Sequence, residues 1–337
     1  MSNTVDDLVT VLADYRYGEI DRVTEQQALE WLEQFPKDER EILVDELTHV
    51  LKQTFVTREA AGNFLANLPQ NESLASGDLE AFWNEVTILQ IQNRGLSQVR
   101  MNEQLIEVLH RDFGFYKEPN SGNESTFIFI DDGLFTGSHI YQDVANWIRN
   151  SAPYKCVIHI IVMALHSYGY WNTNNRLKDV ISESGKDIRI KFWRSEKFED
   201  RKKYTYSSDV LRPVELPKDP RVTNYVKKMK YKPHFRPEGS TGTLGLFSSL
   251  DKRRRLETIL LKAGAKVLEV CTNFDAQKRP LGHSGLETLG FGSLFMTFQN
   301  CPNNAPLALW AGEPWIPLLP RRTNTDSDSQ KAFDSLQ

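Results

Sequence analysis

An α/β fold with a central parallel sheet, preceded by a small all-α module, follows from three features of the sequence. From about residue 82 to residue 193, short strand-like runs alternate with segments of helical period. One run, Cys156–Leu165, is apolar without alternation, as in a strand covered on both faces. Residues 4–70 carry only helix-period patterns.

In chain order, Thr24 and Gln27 form a capping-box pattern ahead of Ala28, Leu29, Trp31, Leu32 and Phe35. Pro36 opens a second helix with Ile42, Leu43, Leu47, Val50 and Leu51 inward, and Thr57 can cap a third with Ala60, Ala61, Phe64, Leu65 and Leu68. Pro69, Asn71 and Gly77 break the pattern and predict a linker near 69–78. Val86–Leu89 reads as a strand, Asn93–Gln98 as a turn and Met101–Phe113 as a helix. A strand over 126–130, a helix over Ile140–Ile148, the strand Cys156–Leu165, a helix over Leu177–Ser184 and a strand over Ile188–Trp193 complete the alternation.

Residues 195–245 lose this rhythm and are rich in Lys, Arg, Tyr and Pro. They suit a basic lid, a nucleic-acid surface or an irregular insertion. Gly239–Gly245 lacks the Gly-Lys-Ser/Thr ending of a P-loop and reads as a flexible loop. A helix over Leu250–Lys262 should stop at Gly264, with a strand over Ala265–Val270. Residues 279–321 are dense in Pro, Asn, Gly and Trp in apolar context, which predicts an ordered hood forming a pocket wall, with Trp310 and Trp315 in the core. Residues 324–337 are polar and expected to be disordered. The predicted organisation is a helical module over 1–70 and an α/β domain over 71–323 containing the insertion and the hood.

The composition narrows the classes of function. No apolar run reaches the ~18 residues of a membrane span, and the amino terminus lacks a basic segment followed by an apolar one, so a cytoplasmic protein is expected. Cys156, Cys271 and Cys301 are far apart, without zinc spacing, and read as free thiols. The net charge of −4 is unevenly divided: residues 1–80 hold 17 Asp and Glu against 6 Lys and Arg, a net of −11, which leaves +7 for the rest. The basic remainder suits a polyanionic ligand, and the acidic front is a candidate contact for other proteins or a nucleoprotein.

The chemistry concentrates at Thr126–Ser138. Apolar strand residues run into Asp131-Asp132, then Gly133-Leu134-Phe135, then Thr136-Gly137-Ser138 and a helix. Carboxylates at a strand's carboxyl end can accept from sugar hydroxyls, and a Thr-Gly loop at a helix start can aim backbone N–H groups at a phosphate. Upstream, Arg94-Gly95 sits in a turn between a strand and a helix, about 36 residues before the acid pair. A glycine admits close backbone approach to a diphosphate, and the arginine adds charge and donors.

The stretch 126–138 resembles the 5-phosphoribosyl-1-diphosphate (PRPP) loop of type I phosphoribosyltransferases: an apolar strand, two acids, three variable residues, then Thr-Gly. The departure is His139, where the family commonly has Thr. Arg94-Gly95 is similar to the family's diphosphate loop. The whole chain resembles, more specifically, phosphoribosyltransferase-like proteins of bacterial conflict systems, antiviral and retron-associated loci included. Trp31–Phe35, Arg94–Gln98, Phe135–Gly137 and Asn300–Asn304 carry that likeness.

The resemblance implies a phosphoribosyltransferase-like sheet and an effector that binds PRPP or a nucleotide with Mg²⁺, the metal being held through the ligand and Asp131/Asp132. It implies a glycosyltransferase of phosphoribosyltransferase type or a related nucleotide hydrolase. Asp131 and Asp132 are the expected catalytic pair. Gly133, Leu134, Phe135, Thr136, Gly137 and Ser138 are expected at the 5′-phosphate, and Arg94 and Gly95 at the diphosphate. His166, Tyr168, Asn303 and Asn304 are candidates for the pocket of the base or acceptor, with Tyr170 beside them. Two other classes stay open: a PRPP or nucleotide sensor without turnover, and a nucleic-acid-binding protein resting on the basic segment, although no helix-turn-helix or zinc-finger signature is present.

Overall fold

The computed structural model describes residues 2–75, 77–93, 96–123, 125–271, 277–285 and 288–321. Arg94, Gly95 and the tail at 324–337, for which sequence expectations were stated, lie outside these residues. The chain forms two compact units. One is Arg58–Phe198; the other joins the chain before Arg58 to the chain after Phe198. This partition differs from the expected one, in which the break fell near 69–78.

The unit Arg58–Phe198 holds the sheet. Its elements are α1 (Arg58–Asn67), α2 (Leu79–Glu85), β1 (Thr87–Ile88), α3 (Ser97–Phe113), β2 (Thr126–Leu134), α4 (Ser138–Asn150), β3 (Lys155–His166), α5 (Ser167–Ser184) and β4 (Asp187–Phe198). The four strands are parallel and lie in chain order, β1-β2-β3-β4. Each crossover is a helix, as parallel pairing requires. The expected linker is not one: Leu68, Pro69, Leu74 and Ala75 are buried in short helical turns of this unit.

Sequence pattern explains these elements directly. In α3, Met101, Leu105, Val108 and Leu109 repeat at helical spacing and are buried, and Gly114 ends the helix in the left-handed region at φ 73°. In α4, Ile140, Val144, Trp147 and Ile148 do the same. These α4 residues join Phe127 and Phe129 of β2, Ile158, Ile160 and Val162 of β3, and Leu177 and Val180 of α5 in one apolar core. The alternate residues Ile128, Ile130, Ile161 and Met163 are also buried, so β2 and β3 are covered on both faces. Helix α5 begins ten residues earlier than the Leu177 start that the apolar spacing suggested. It follows His166 without a loop, which puts Tyr168 and Tyr170 in its first turn.

In the other unit, helices Ser2–Val11, Glu25–Glu33 and Arg40–Thr54 form as their patterns indicate, and Thr24 caps the second by accepting from the Gln27 N–H at 3.1 Å. Trp31 donates its indole N–H to the Ala308 carbonyl at 2.7 Å, so the amino-terminal helices and the 279–321 stretch share one core. Trp310 and Trp315 are buried there, with N–H groups on the Ala305 and Ala308 carbonyls. The three cysteines are free and buried.

Ala265–Val270 is not a strand. One helix runs from Leu250 to Val270, and Gly264 is in its interior. A Cβ there would lie 2.1 Å from the Pro280 carbonyl oxygen, so this glycine permits a close helix–backbone approach rather than marking a stop. The basic segment is also held from within. Arg236 and Arg253, at most 3% exposed, both pair with the fully buried Glu257 at 2.9 Å. The loop Gly239–Gly245 is tied as well: Thr243 and Leu244 donate their backbone N–H groups to Asp209 Oδ1 at 2.6 and 2.9 Å. That loop cradles an internal carboxylate, not a phosphate.

No helix among the described residues is long and apolar enough to cross a membrane.

Candidate functional site

The strand β2 does not end at its last apolar residue. It runs through Asp131, Asp132 and Gly133 to Leu134, because β3 pairs with it as far as Leu134↔Leu165. The acid pair is therefore fixed in extended backbone. Successive side chains of a strand point to opposite faces, so the two carboxylates diverge. Asp131 is 6% exposed while Asp132 is half-buried.

Asp131 has partners ready. Its Oδ1 accepts from the Asp132 N–H at 2.9 Å, and the hydroxyl of Ser97, the first residue of α3, also donates to it. Burial, then the neighbouring Asp132 charge, raise its proton affinity well above the ordinary carboxylate range. The Ser97 and Asp132 hydrogen bonds and the charge of His139 oppose that rise. A bound cation would oppose it further.

After Leu134 the chain turns through Phe135, Thr136 and Gly137 into α4. Gly137 sits at φ 76° as the N-cap residue, a left-handed conformation that a residue with a Cβ seldom adopts. A Cβ on Gly137 would fall 1.8 Å from Thr173 Oγ1, and one on Gly169 would fall 1.8 Å from the Phe135 carbonyl oxygen. Thr173 also donates to the Gly137 carbonyl at 3.2 Å. Both Gly169 and Thr173 belong to α5, so that helix sets the position of the loop. Ser138 opens α4, whose first-turn N–H groups have no acceptor within the helix. The hydroxyls of Thr136 and Ser138 approach to 3.4 Å, and both residues are half-buried, as are Gly133 and Phe135.

The approach to the Arg94-Gly95 turn is anchored although the two residues themselves lie outside the description. The buried Gln98 accepts from the Ile91 and Gln92 N–H groups through Oε1 at 2.9 and 2.8 Å. Asn93 donates its side-chain amide to Asp143 of α4 at 2.8 Å. The same helix that starts at Gly137 thus fixes the residue preceding Arg94.

The remaining candidates fall in different places. His166 is fully buried between the rings of Phe135 and Phe198, with centroids 5.1 Å away on each side. Burial depresses its pKa to about 3, so the ring is neutral, and its Nδ1 lies 3.2 Å from the Leu134 carbonyl, placed to donate to it. This geometry makes it a brace between the ends of β2 and β3. Tyr168 is half-buried, and its ring lies 6.0 Å from that of Trp171. Tyr170 packs edge-on to Phe192. Asn303 and Asn304 belong to the other unit. There the Asn303 carbonyl accepts from the His283 N–H at 2.8 Å, and the Asn304 amide donates to the His283 carbonyl at 2.9 Å.

Ser97, Gln98, Asp143, Gly169 and Thr173 are the positioning residues that the sequence reading did not assign. Ser97 and Gln98 stood inside a recognised turn, and their neighbourhood to Arg94-Gly95 was the available signal. Gly169 and Thr173 gave none.

Among the described residues no group of three or more His, Cys, Asp or Glu could hold a metal by itself. Either carboxylate alone suits a hard cation that takes its other oxygens from a phosphorylated ligand and water, which is the usual manner of Mg²⁺. A strand-end acid pair, a constrained phosphate-sized loop and the start of a helix can together hold a ribose and its phosphate.

No curated protein matches the chain. The model of the PRTase-CE family, a phosphoribosyltransferase-type family, matches residues 28–321, and the chain belongs to that family.

Proposed function

We propose that Asp131–Ser138 bind the ribose 5-phosphate portion of PRPP, or of a nucleotide, together with Mg²⁺, and that the protein transfers or hydrolyses the ribose-phosphate unit as an effector of a bacterial antiviral defence system. Family membership supports a phosphoribosyltransferase-type function. The observation that carries the site assignment is the Gly137 turn, which joins the acid pair to a helix start and is fixed by Gly169 and Thr173 of α5.

In this reading the half-buried Asp132 accepts from the ribose hydroxyls. Asp131, once ionised, places a buried negative charge beside the sugar, where an oxocarbenium-like ring develops positive charge. The Thr136 and Ser138 hydroxyls and the first-turn N–H groups of α4 hold the 5′-phosphate, and Arg94-Gly95 holds the diphosphate. Mg²⁺, when bound, neutralises charge on the departing diphosphate. The acidic amino-terminal helices are the surface assigned to protein or nucleoprotein partners of the defence locus.

The test supplies Mg²⁺ and PRPP with a panel of nucleobases, then nucleotides and NAD alone, and follows release of diphosphate or base. Turnover lost in Asp131→Asn and in Asp132→Asn, with phage protection lost in cells carrying either variant, is the expected result. Tight PRPP binding without turnover under any condition would make the protein a sensor. Flat titrations with every ribose phosphate would remove the reading altogether.

A further inference from the structure

Residues 201–240 hold eleven Lys and Arg against four Asp and Glu, a net of +7. That equals the whole positive balance of residues 81–337, so the excess sits in this one segment. The structure sorts its charges by residue type. All four arginines are engaged: Arg201 pairs with Glu199, Arg221 with Glu269 and Arg236 with Glu257. Arg212 donates to the Asp200 and Arg201 carbonyls at 2.7 and 3.2 Å. The four acids are engaged as well. Asp209 accepts from the Thr243 and Leu244 N–H groups, Asp219 caps its helix through the Arg221 and Val222 N–H groups, and Glu215 and Glu238 pair with Arg254.

The seven lysines are left outside. Each is exposed. Six of them, Lys202, Lys203, Lys218, Lys227, Lys228 and Lys232, form no ion pair among the described residues. The fold also brings the two ends of the segment together. Burial, then the charges of Lys202 and Arg212, lower the pKa of the exposed His234, and burial, then Arg212, lower that of Lys202. His234 follows Lys232 by two residues, so it joins the later lysines to the Lys202–Ser207 turn. That turn is clamped from beneath by the Ser240 hydroxyl, which donates to the Tyr206 carbonyl at 2.6 Å. Cations gathered without a facing carboxylate repel one another, and a bound anion offsets that repulsion.

The side chains between the lysines narrow the class of anion. The large apolar side chains exposed in this segment are all tyrosines: Tyr204, Tyr206 and Tyr231, with Tyr206 the most exposed at 66%. The Arg201 guanidinium lies 4.2 Å from the Tyr204 ring, and the Lys230 ammonium 5.3 Å from that of Tyr231. A membrane surface would call for exposed aliphatic or tryptophan side chains among the lysines. A small phosphate would call for a few converging groups, not lysines dispersed from 202 to 232. A duplex keeps its base faces stacked and has no use for an outward ring. Lysines that follow a backbone, with rings that take unpaired bases, suit a single strand.

We propose that residues 202–234 form a binding surface for single-stranded nucleic acid, with the lysines on its phosphates and Tyr206 stacked on a base. The inference stands apart from the ribose-phosphate reading, because it uses none of residues 131–138 and lies in the other unit.

Fluorescence anisotropy of the full chain with labelled oligo-dT and oligo-rU of about 20 nucleotides tests it. At least one strand should saturate below ~10 µM in ~50 mM salt and weaken steeply as salt rises. Replacing Lys227, Lys228 and Lys232 together by Gln should weaken binding at least about tenfold and reduce the slope of log affinity against log salt by about 2. Tyr206→Ala should weaken it at least about fivefold and leave that slope unchanged, since stacking releases no counterions. A dT·dA duplex of equal length should bind at least about tenfold more weakly and be indifferent to Tyr206→Ala. Circular dichroism of each variant confirms folding. Failure of both strands to saturate below ~100 µM in ~50 mM salt would overturn the proposal. So would unaltered affinity and slope in the triple lysine variant, a duplex bound as tightly as the single strand, or equal binding to vesicles containing phosphatidylserine, which would make the segment a membrane surface.

Discussion

Gly169→Ala separates the fold from the phosphate loop. The residue lies in the first turn of α5, where alanine has the higher helix propensity by about 1 kcal/mol. Yet its Cβ would stand 1.8 Å from the Phe135 carbonyl oxygen and 2.7 Å from Leu134 Cδ2. Ordinary contact begins near 3.4 Å, so the backbone of the loop must retreat by about 1.6 Å or the helix must shift by as much. Overpacking of this kind costs about 1–3 kcal/mol, which the propensity gain offsets in part. The net destabilisation should be about 0–2 kcal/mol, a small change in thermal midpoint. The loop is affected more. A displacement beyond 1 Å of groups that hold a ligand costs about 10²-fold, so PRPP affinity measured by calorimetry should fall by about that factor. Gly62→Ala is the control: it lies in α1 with nothing within 4 Å of its Cβ, and should stabilise by up to about 1 kcal/mol with PRPP affinity intact. A Gly169→Ala protein with unaltered PRPP affinity would refute the claim that α5 positions the loop.

Other substitutions probe separate links. Asp131 binds its proton more tightly in the folded than in the unfolded chain, so its contribution to stability is present at low pH and is lost as pH rises from the ordinary carboxylate range through its raised folded value. Unliganded melting midpoints should show that decline, and Asp131→Asn should remove it. Binding of Mg²⁺ and PRPP should tighten with pH over the same interval, by at most about tenfold per pH unit, and release a proton measurable in buffers of different ionisation enthalpy. His166→Phe removes the hydrogen bond to the Leu134 carbonyl between two stacked rings and should cost about 1–3 kcal/mol in urea unfolding, while leaving the pH profile of ligand binding where it was. Glu257→Gln leaves Arg236 and Arg253 buried without a counter-charge and should destabilise by about 3–5 kcal/mol, read from the denaturant midpoint.

Periodicity made the sheet legible because each of its helices buries a stripe that the sequence writes plainly. The pattern at Met101, Leu105, Val108 and Leu109 has one interpretation, and so has the run Cys156–Leu165 of β3, apolar but for His159. It failed where burial is not apolar. Helix α5 begins with Ser167, Tyr168, Gly169 and Tyr170, whose composition says turn; the helix forms there because Gly169 lets it lie against Phe135. Gly264 misled for the same reason, since a glycine that ends a helix and one that admits a neighbouring backbone look alike in sequence. The basic segment after residue 195 looked like an open surface because its internal ties join residues far apart along the chain: Asp209 accepts from the Thr243 and Leu244 N–H groups and Glu257 pairs with Arg236, and contacts at such separation leave no local signal.

The site divides along the same line. Residues 131–138 were readable because the ligand-facing groups are contiguous: one strand end, one turn and one helix start supply carboxylates, hydroxyls and amides within eight residues of chain. The residues that hold those groups in place are scattered. Ser97 reaches Asp131 from α3, Asp143 reaches Asn93 from α4, and Thr173 reaches Gly137 from α5. Each of these supports comes from a different helix, and each meets its target only because the strands lie in chain order and in parallel, which brings the starts of successive helices to the same edge of the sheet. A motif can therefore announce the ligand while saying nothing of its rigidity. Rigidity here depends on the starts of α3 and α5 as much as on the motif, so substitutions at Ser97 or Gly169 should alter the site while every residue of the Asp131–Ser138 motif is unchanged.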